Sequence, residues 1–275
     1  MQIPIEDLFE DIIGKAMRGR HISERLLSER TGVELDTLGR LCRGEFCDES
    51  ALLKIAPVLG LDPGSLTIAA SKAWYPKSVS VEGLAQFNTP YRDMRVNAYL
   101  VWDSETKEAT AFDTGTDAGP LIAEIERLGL SLKQIFLTHT HNDHVADLDR
   151  LKAAAPGATV YANRLEPWPG CEEFVEGATF SIGSLKVETR TTSGHSVGGT
   201  TYVISGLEKP IAVVGDAMFA GSMGGGMVSF DDAIENNRKK IMTLPNETVL
   251  CPGHGPLTTV GEEKRYNPFF PELKG

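Results

Sequence analysis

Five of the six histidines in this 275-residue chain stand where they could hold metal. Residues 138–144 read Thr-His-Thr-His-Asn-Asp-His, placing His139, His141, Asp143 and His144 in one short loop, an H-x-H-x-D-H pattern. Further on come His195 in Ser-Gly-His-Ser, Asp216 in Val-Gly-Asp-Ala and His254 in Pro-Gly-His-Gly. Only His21 falls outside the set. A lone histidine is usually a satisfied structural residue. Imidazoles interleaved with carboxylates suit zinc, and also iron or manganese. The chemistry expected of such a set is metal-assisted.

The elements that must position these residues are legible around them. Lys133–Leu137 is a short apolar run with a β-branched and an aromatic residue, which predicts a buried strand running into the histidine loop. Val145 to Ala155 then predicts a helix, with Val145, Leu148 and Leu151 at helical spacing. Ile211–Val214 predicts a strand delivering Asp216, and Thr248–Cys251 one delivering His254. A glycine beside each late donor lets the backbone turn tightly there.

In that order, H-x-H-x-D-H, Gly194-His195, Gly215-Asp216 and Gly253-His254-Gly255 resemble the metallo-β-lactamase superfamily over about residues 78 to 271. Within it, Gly215–Ser222, Pro252–Pro256 and Gly261–Arg265 resemble the glyoxalase II-like hydroxyacylglutathione hydrolases. The resemblance implies an αββα sandwich with the metals at one edge. It implies that one metal takes His139, His141 and His195, and a second takes Asp143, His144 and His254, with Asp216 bridging both. Asp113, in Phe-Asp-Thr-Gly, matches the family's first motif and is implied to orient a ligand histidine; its plainer role is an acceptor in a turn.

The reaction implied is hydrolysis of a small thioester by a metal-bound hydroxide, with Asp143 and Asp216 as the carboxylates nearest the chemistry. A thiolate leaves without an assigned general acid. Three other activities use related sites. A lactonase of this superfamily often carries tyrosine three residues after the bridging aspartate, where this chain has Phe219. A persulfide dioxygenase uses nearly the same donors with one iron, and a nuclease would want a basic surface. Relatives that hold glutathione usually have an arginine in the loop where this chain has Gly221-Ser222-Met223-Gly224-Gly225-Gly226-Met227. Lys264, Arg265 and Tyr266, near the end of the chain, are the candidates by position to take over carboxylate binding; the glycines are read either as a backbone N–H cradle for an anion or as a flexible loop.

Residues 1–70 have a different texture from 71–275, and the boundary is placed between them. Ile5, Leu8, Phe9, Ile12 and Ile13 share a helical face, and Ser23 is an N-cap candidate. Leu35–Arg43 predicts another helix, and Ser50–Leu59 a further one interrupted at Pro57. The spacing of leucines and turn glycines here resembles a Cro/lambda-repressor-type helix-turn-helix. The presumed recognition helix nevertheless opens with Glu34, Leu35, Asp36 and Thr37, where a DNA reader wants Gln, Asn, Ser or Arg. Residues 1–70 carry 12 acidic and 8 basic side chains. That balance argues against DNA binding and for packing, dimerisation or covering the active site. The alternative from another class is a regulator, with a DNA-binding helical domain and a ligand-sensing metal domain.

A net charge of −11 argues against tracking a phosphate backbone. Four cysteines form no disulfide framework, and Cys251 reads as a small buried hydrophobe. With no signal-like start or membrane-length apolar run, the expected location is the cytoplasm.

Overall fold

The structure is a computed structural model and describes residues 2–274. It opens with five helices: α1 (Phe9–Gly19), α2 (Glu24–Thr31), α3 (Leu35–Cys42), α4 (Glu49–Leu59) and α5 (Pro63–Ala70). Local signals set their ends. Ser23 Oγ accepts from the Leu26 N–H at 3.2 Å and starts α2, and left-handed Gly32 ends it. Asp62 caps α5, with Pro63 in its first turn. Helix α4 runs through Pro57 without the expected interruption. Pro57 stands near its C-terminus, and Leu53, whose carbonyl loses a partner, is exposed enough to be hydrated.

Two six-stranded sheets follow. The first holds, in spatial order, β1 (Leu84–Tyr91), β2 (Met94–Trp102), β3 (Glu108–Phe112), β4 (Ser131–Phe136), β5 (Thr159–Asn163) and β6 (Glu172–Phe174). The second holds β7 (Thr179–Ile182), β8 (Leu185–Thr191), β9 (Thr200–Ser205), β10 (Ile211–Gly215), β11 (Val249–Pro252) and β12 (Thr258–Thr259), again in chain order. Helices α6 (Gly119–Leu128), α7 (Asn142–Val145) and α8 (Leu148–Ala154) belong to the first half, α9 (Phe230–Asn236) and α10 (Val260–Tyr266) to the second. The helix expected over Val145–Ala155 is thus split: α7 ends at Val145, and α8 begins after Asp147 turns its carboxylate to accept from the Ala118 N–H. Helix α9 passes directly into a π-helical turn over Asn237–Ile241.

Alternation along the strands sorts the side chains into layers. Tyr99, Phe112 and Phe136 of the first sheet meet Tyr202, Val213 and Val249 of the second in a core between the sheets. Leu100, Ala111 and Ile135 point outward and pack under Leu121 of α6 and Leu151 of α8. On the far side, Ala212, Val214 and Leu250 share one apolar core with α9 and with Ile13, Leu52 and Leu66 of the opening helices. The result is a four-layer α/β sandwich whose outer layer on the second sheet includes α1, α4 and α5. Among the described residues, no helix is long and apolar enough to cross a membrane, and the four cysteines are free.

Candidate metal centre

Strand β4 delivers the histidine loop, β10 delivers Asp216, β11 delivers His254, and the β8–β9 connection carries His195, all at one rim of the sandwich. The structure brings all seven donors together. His139, His141 and His195 form one group, Asp143, His144 and His254 another, and His139, His144 and Asp216 link them; donor atoms within each group lie within 4.8 Å of one another. His141 Nδ1 is 3.0 Å from His139 Nε2 and 3.1 Å from His195 Nε2. Asp216 stands between the groups: Oδ2 lies 3.3 Å from His195 Nε2 and 3.4 Å from His254 Nε2, while Oδ1 lies 3.4 Å from His144 Nε2.

The outward nitrogens of these rings are held by acceptors, which aims the others inward. His195 Nδ1 faces the Gly225 carbonyl at 3.0 Å and His254 Nδ1 the Arg95 carbonyl at 2.6 Å. Thr138 Oγ1 donates to Asp113 and so can accept from His139 Nδ1, 3.0 Å away. Asp113 is buried, and its Oδ2 lies 2.7 Å from His144 Nδ1. Its other oxygen accepts from the Thr138 N–H, 25 residues further along the chain, so its partners come from the histidine loop and not from the turn it sits in.

The electrostatics call for positive charge. Burial would lower His144 and His254. Asp113 and Asp216 push His144 up to about 10 instead, and Asp216 and Asp143 push His254 up to about 11. Burial opposes ionisation of Asp216, yet His254, His144 and His195 hold its carboxyl well below the usual range. His144 Nε2 and Asp216 Oδ1 are buried and have no hydrogen-bond partner. Two facing, unsatisfied donor atoms in a ring of imidazoles and carboxylates fit divalent cations.

Tight backbone approach completes the centre. A Cβ on Gly253 would lie 2.1 Å from Asp216 Oδ1, and one on Gly224 1.9 Å from the Asp216 carbonyl oxygen. The glycine run is therefore wedged beside the cluster rather than a loose loop. Gly225 is different, since a Cβ there meets only Met227, at 3.8 Å. Lys264 and Arg265 are corrected as anion binders: Lys264 Nζ donates to Asn246, Arg265 lies over Tyr266, and neither lines the cavity before the cluster. Phe219 does line it, its ring edge-on to His254 at 5.5 Å.

Two supporting residues were missed from sequence. Glu166 accepts from the N–H groups of Thr140 (2.7 Å) and Gly198 (2.8 Å), tying the histidine loop to the His195 loop. Buried Asn97 donates to the Pro252 and Gly255 carbonyls, both at 2.8 Å, and shapes the turn around His254. Neither has a distinctive local pattern; each works only through residues far away in sequence.

Two stacked sheets between helical layers, with a His/Asp cluster at one rim, define a metal-dependent α/β sandwich enzyme. The chain belongs to the metallo-beta-lactamase superfamily, whose sequence profile matches residues 91–254. It is 30% identical to hydroxyacylglutathione hydrolase GloC of Haemophilus influenzae over 205 residues, 66% of this chain and 95% of that protein. It is also 30% identical to the human mitochondrial persulfide dioxygenase ETHE1 over 180 residues, 62% of this chain and 69% of that one. Of the hydroxyacylglutathione hydrolase of Cereibacter sphaeroides it spans 61%, at 34% identity. Among solved structures, the B3 metallo-beta-lactamase BLEG-1 superposes with a TM-score of 0.58 at 28% identity, covering 70% of this chain and 100% of that one.

Proposed function

We propose that this chain is a binuclear metal-dependent hydrolase of small thioesters, like the hydroxyacylglutathione hydrolases it resembles. The observation that carries the reading is Asp216, with one carboxylate oxygen turned to His144 and the other to His195 and His254. In this assignment His139, His141 and His195 hold one ion, and Asp143, His144 and His254 the other, with Asp216 shared. Two divalent cations, zinc foremost and iron or manganese as alternatives, would supply Lewis acidity and acidify water near neutral pH.

The protein's own groups account for the rest. Asp113, Gly225 O and Arg95 O hold three imidazoles in place, so little reorganisation remains when a substrate binds. Asp143, 3.4 Å from His254 Nε2, is the group assigned to moving a proton. Phe219 offers no hydroxyl beside the cluster, which favours a thioester over a lactone. A thiolate leaves unprotonated, consistent with the lack of an assigned acid. Residues 71–275 form the catalytic unit and residues 1–70 a helix-turn-helix-like unit that walls the site, in a cytoplasmic enzyme without a nucleic-acid partner.

Likeness to the human persulfide dioxygenase supports a second reading, with a single iron. Metal analysis of purified protein separates the two, together with assays on S-lactoylglutathione, a lactone and a persulfide. Two metals per chain with chelator-sensitive thioester hydrolysis are expected. One tightly held iron with persulfide oxidation would overturn the hydrolase.

A further inference from the structure

A cavity of about 840 Å³ lies in front of the cluster, with His195, Asp216 and His254 on one wall and Lys15, Arg18 and His21 on another. The second wall is α1 and the turn after it. Helix α1 is fixed there by close contact. A Cβ on Gly19 would lie 2.2 Å from the Phe230 ring, so only glycine permits this approach. Lys15 pairs with Asp7, donates to the Met223 carbonyl at 2.9 Å and sits 5.0 Å from the centre of the Phe219 ring.

The cations of α1 and its C-cap are therefore unequal. Lys15 is spent on structural contacts, and Arg20 donates to the Leu59 carbonyl. Arg18 is exposed, its guanidinium lying back over Gly14, and among the described residues it has no ion-pair partner. The rest of the lining includes Glu6, Asp7 and Asp231, which would repel an acidic ligand. The glycine run offers no cationic side chain, and Lys264 and Arg265 lie elsewhere.

We propose that Arg18 anchors an anionic group of the substrate, a carboxylate on the thiol carrier, so that the enzyme selects acidic over neutral thioesters. This rests on the thioester reading above. A guanidinium suits the task, because its planar fork pairs with both oxygens of a carboxylate and stays charged at any working pH. The anchor lies on a helix outside residues 91–254, which match the superfamily profile. It gives the amino-terminal helices a part in substrate choice.

The test compares S-lactoylglutathione, which carries carboxylates, with S-lactoyl-N-acetylcysteamine, which carries none, on wild type, Arg18→Ala and Arg18→Lys. Arg18→Ala is expected to raise KM for the acidic thioester about tenfold with kcat little changed, the pattern of lost uniform binding. The neutral thioester and the metal content should be unaffected, and lysine should recover part of the loss. No change, an equal change on both thioesters, or cleavage of the neutral thioester alone by wild type would overturn the anchor. If wild type cleaves neither thioester, the hydrolase reading fails. Calorimetric titration with S-methylglutathione, a thioether with the same carboxylates, then decides the anchor separately. Binding about tenfold weaker in Arg18→Ala supports it; equal affinities, or no binding by wild type, overturn it.

Discussion

Asp113 Oδ2 lies 2.7 Å from His144 Nδ1, and Asp113 reaches it from a left-handed backbone with φ of 58°. Non-glycine residues adopt that region at a cost, so surrounding contacts must hold Asp113 there. The Thr138 N–H and hydroxyl both donate to it at 2.7 Å. Asp113→Asn would place an amide N–H₂ opposite one of these donors. Metal affinity, measured by competition with a chelator, should fall about 10- to 100-fold. Unchanged affinity would show that His144 is oriented by packing alone.

Asp216 and His195 should separate in their effects on metal content. Asp216 touches both donor groups, whereas His195 belongs to one. Elemental analysis should find Asp216→Ala depleted at both positions and His195→Ala retaining close to one ion per chain. Full loading of Asp216→Ala would refute the ligand assignment.

Neighbouring glycines should respond oppositely. Any side chain on Gly224 runs into the Asp216 backbone, so Gly224→Ala should lose most thioester hydrolysis. Gly225 has open space and lines the cavity, so Gly225→Arg should fold normally. It should lower KM for S-lactoylglutathione several-fold with little change in kcat. Steady-state kinetics on both variants checks this.

Glu263 should leave a mark on the pH dependence of stability. Burial, the largest influence, pushes its carboxyl from 4.5 up to about 7, against donation from Thr258, Asn267 and the Gly221 N–H. The folded protein then binds a proton more tightly than the unfolded chain. Its contribution is full below about pH 4.5 and is lost as pH rises to about 7. Over that window wild type should lose on the order of 3 kcal/mol relative to Glu263→Gln. Urea unfolding of both proteins at several pH values measures the difference; parallel profiles would contradict it.

Helix α3 opens with Glu34, Leu35 and Asp36 exposed. The protein should therefore bind duplex DNA no more tightly than about 10⁻⁴ to 10⁻⁶ M at physiological salt. Selection from random duplexes that enriched one sequence bound at nanomolar level would move the regulator reading ahead.

The donor set was legible in the sequence because its chemistry is local. Histidines and an aspartate at fixed short spacings, each late donor beside a glycine, require no knowledge of the fold. Strand β10 was equally visible, since a fully buried strand is a continuous apolar run. In β4 the Ile135–Phe136 end that feeds the histidine loop is apolar and buried, while Ser131 and Lys133 are exposed. Strand β1 was not, because Leu84–Tyr91 is half-buried and mixes polar residues and a proline into its length. Only tertiary packing could bring Asp113 to His144, or Glu166 to Thr140 and Gly198, since each of these contacts joins loops from different strands. The same holds for α1. Its amphipathic pattern says which face must be buried, but an apolar face carries no address. Gly19 against Phe230, and Lys15 against Phe219 and Met223, decide that this helix closes the wall of the metal cavity.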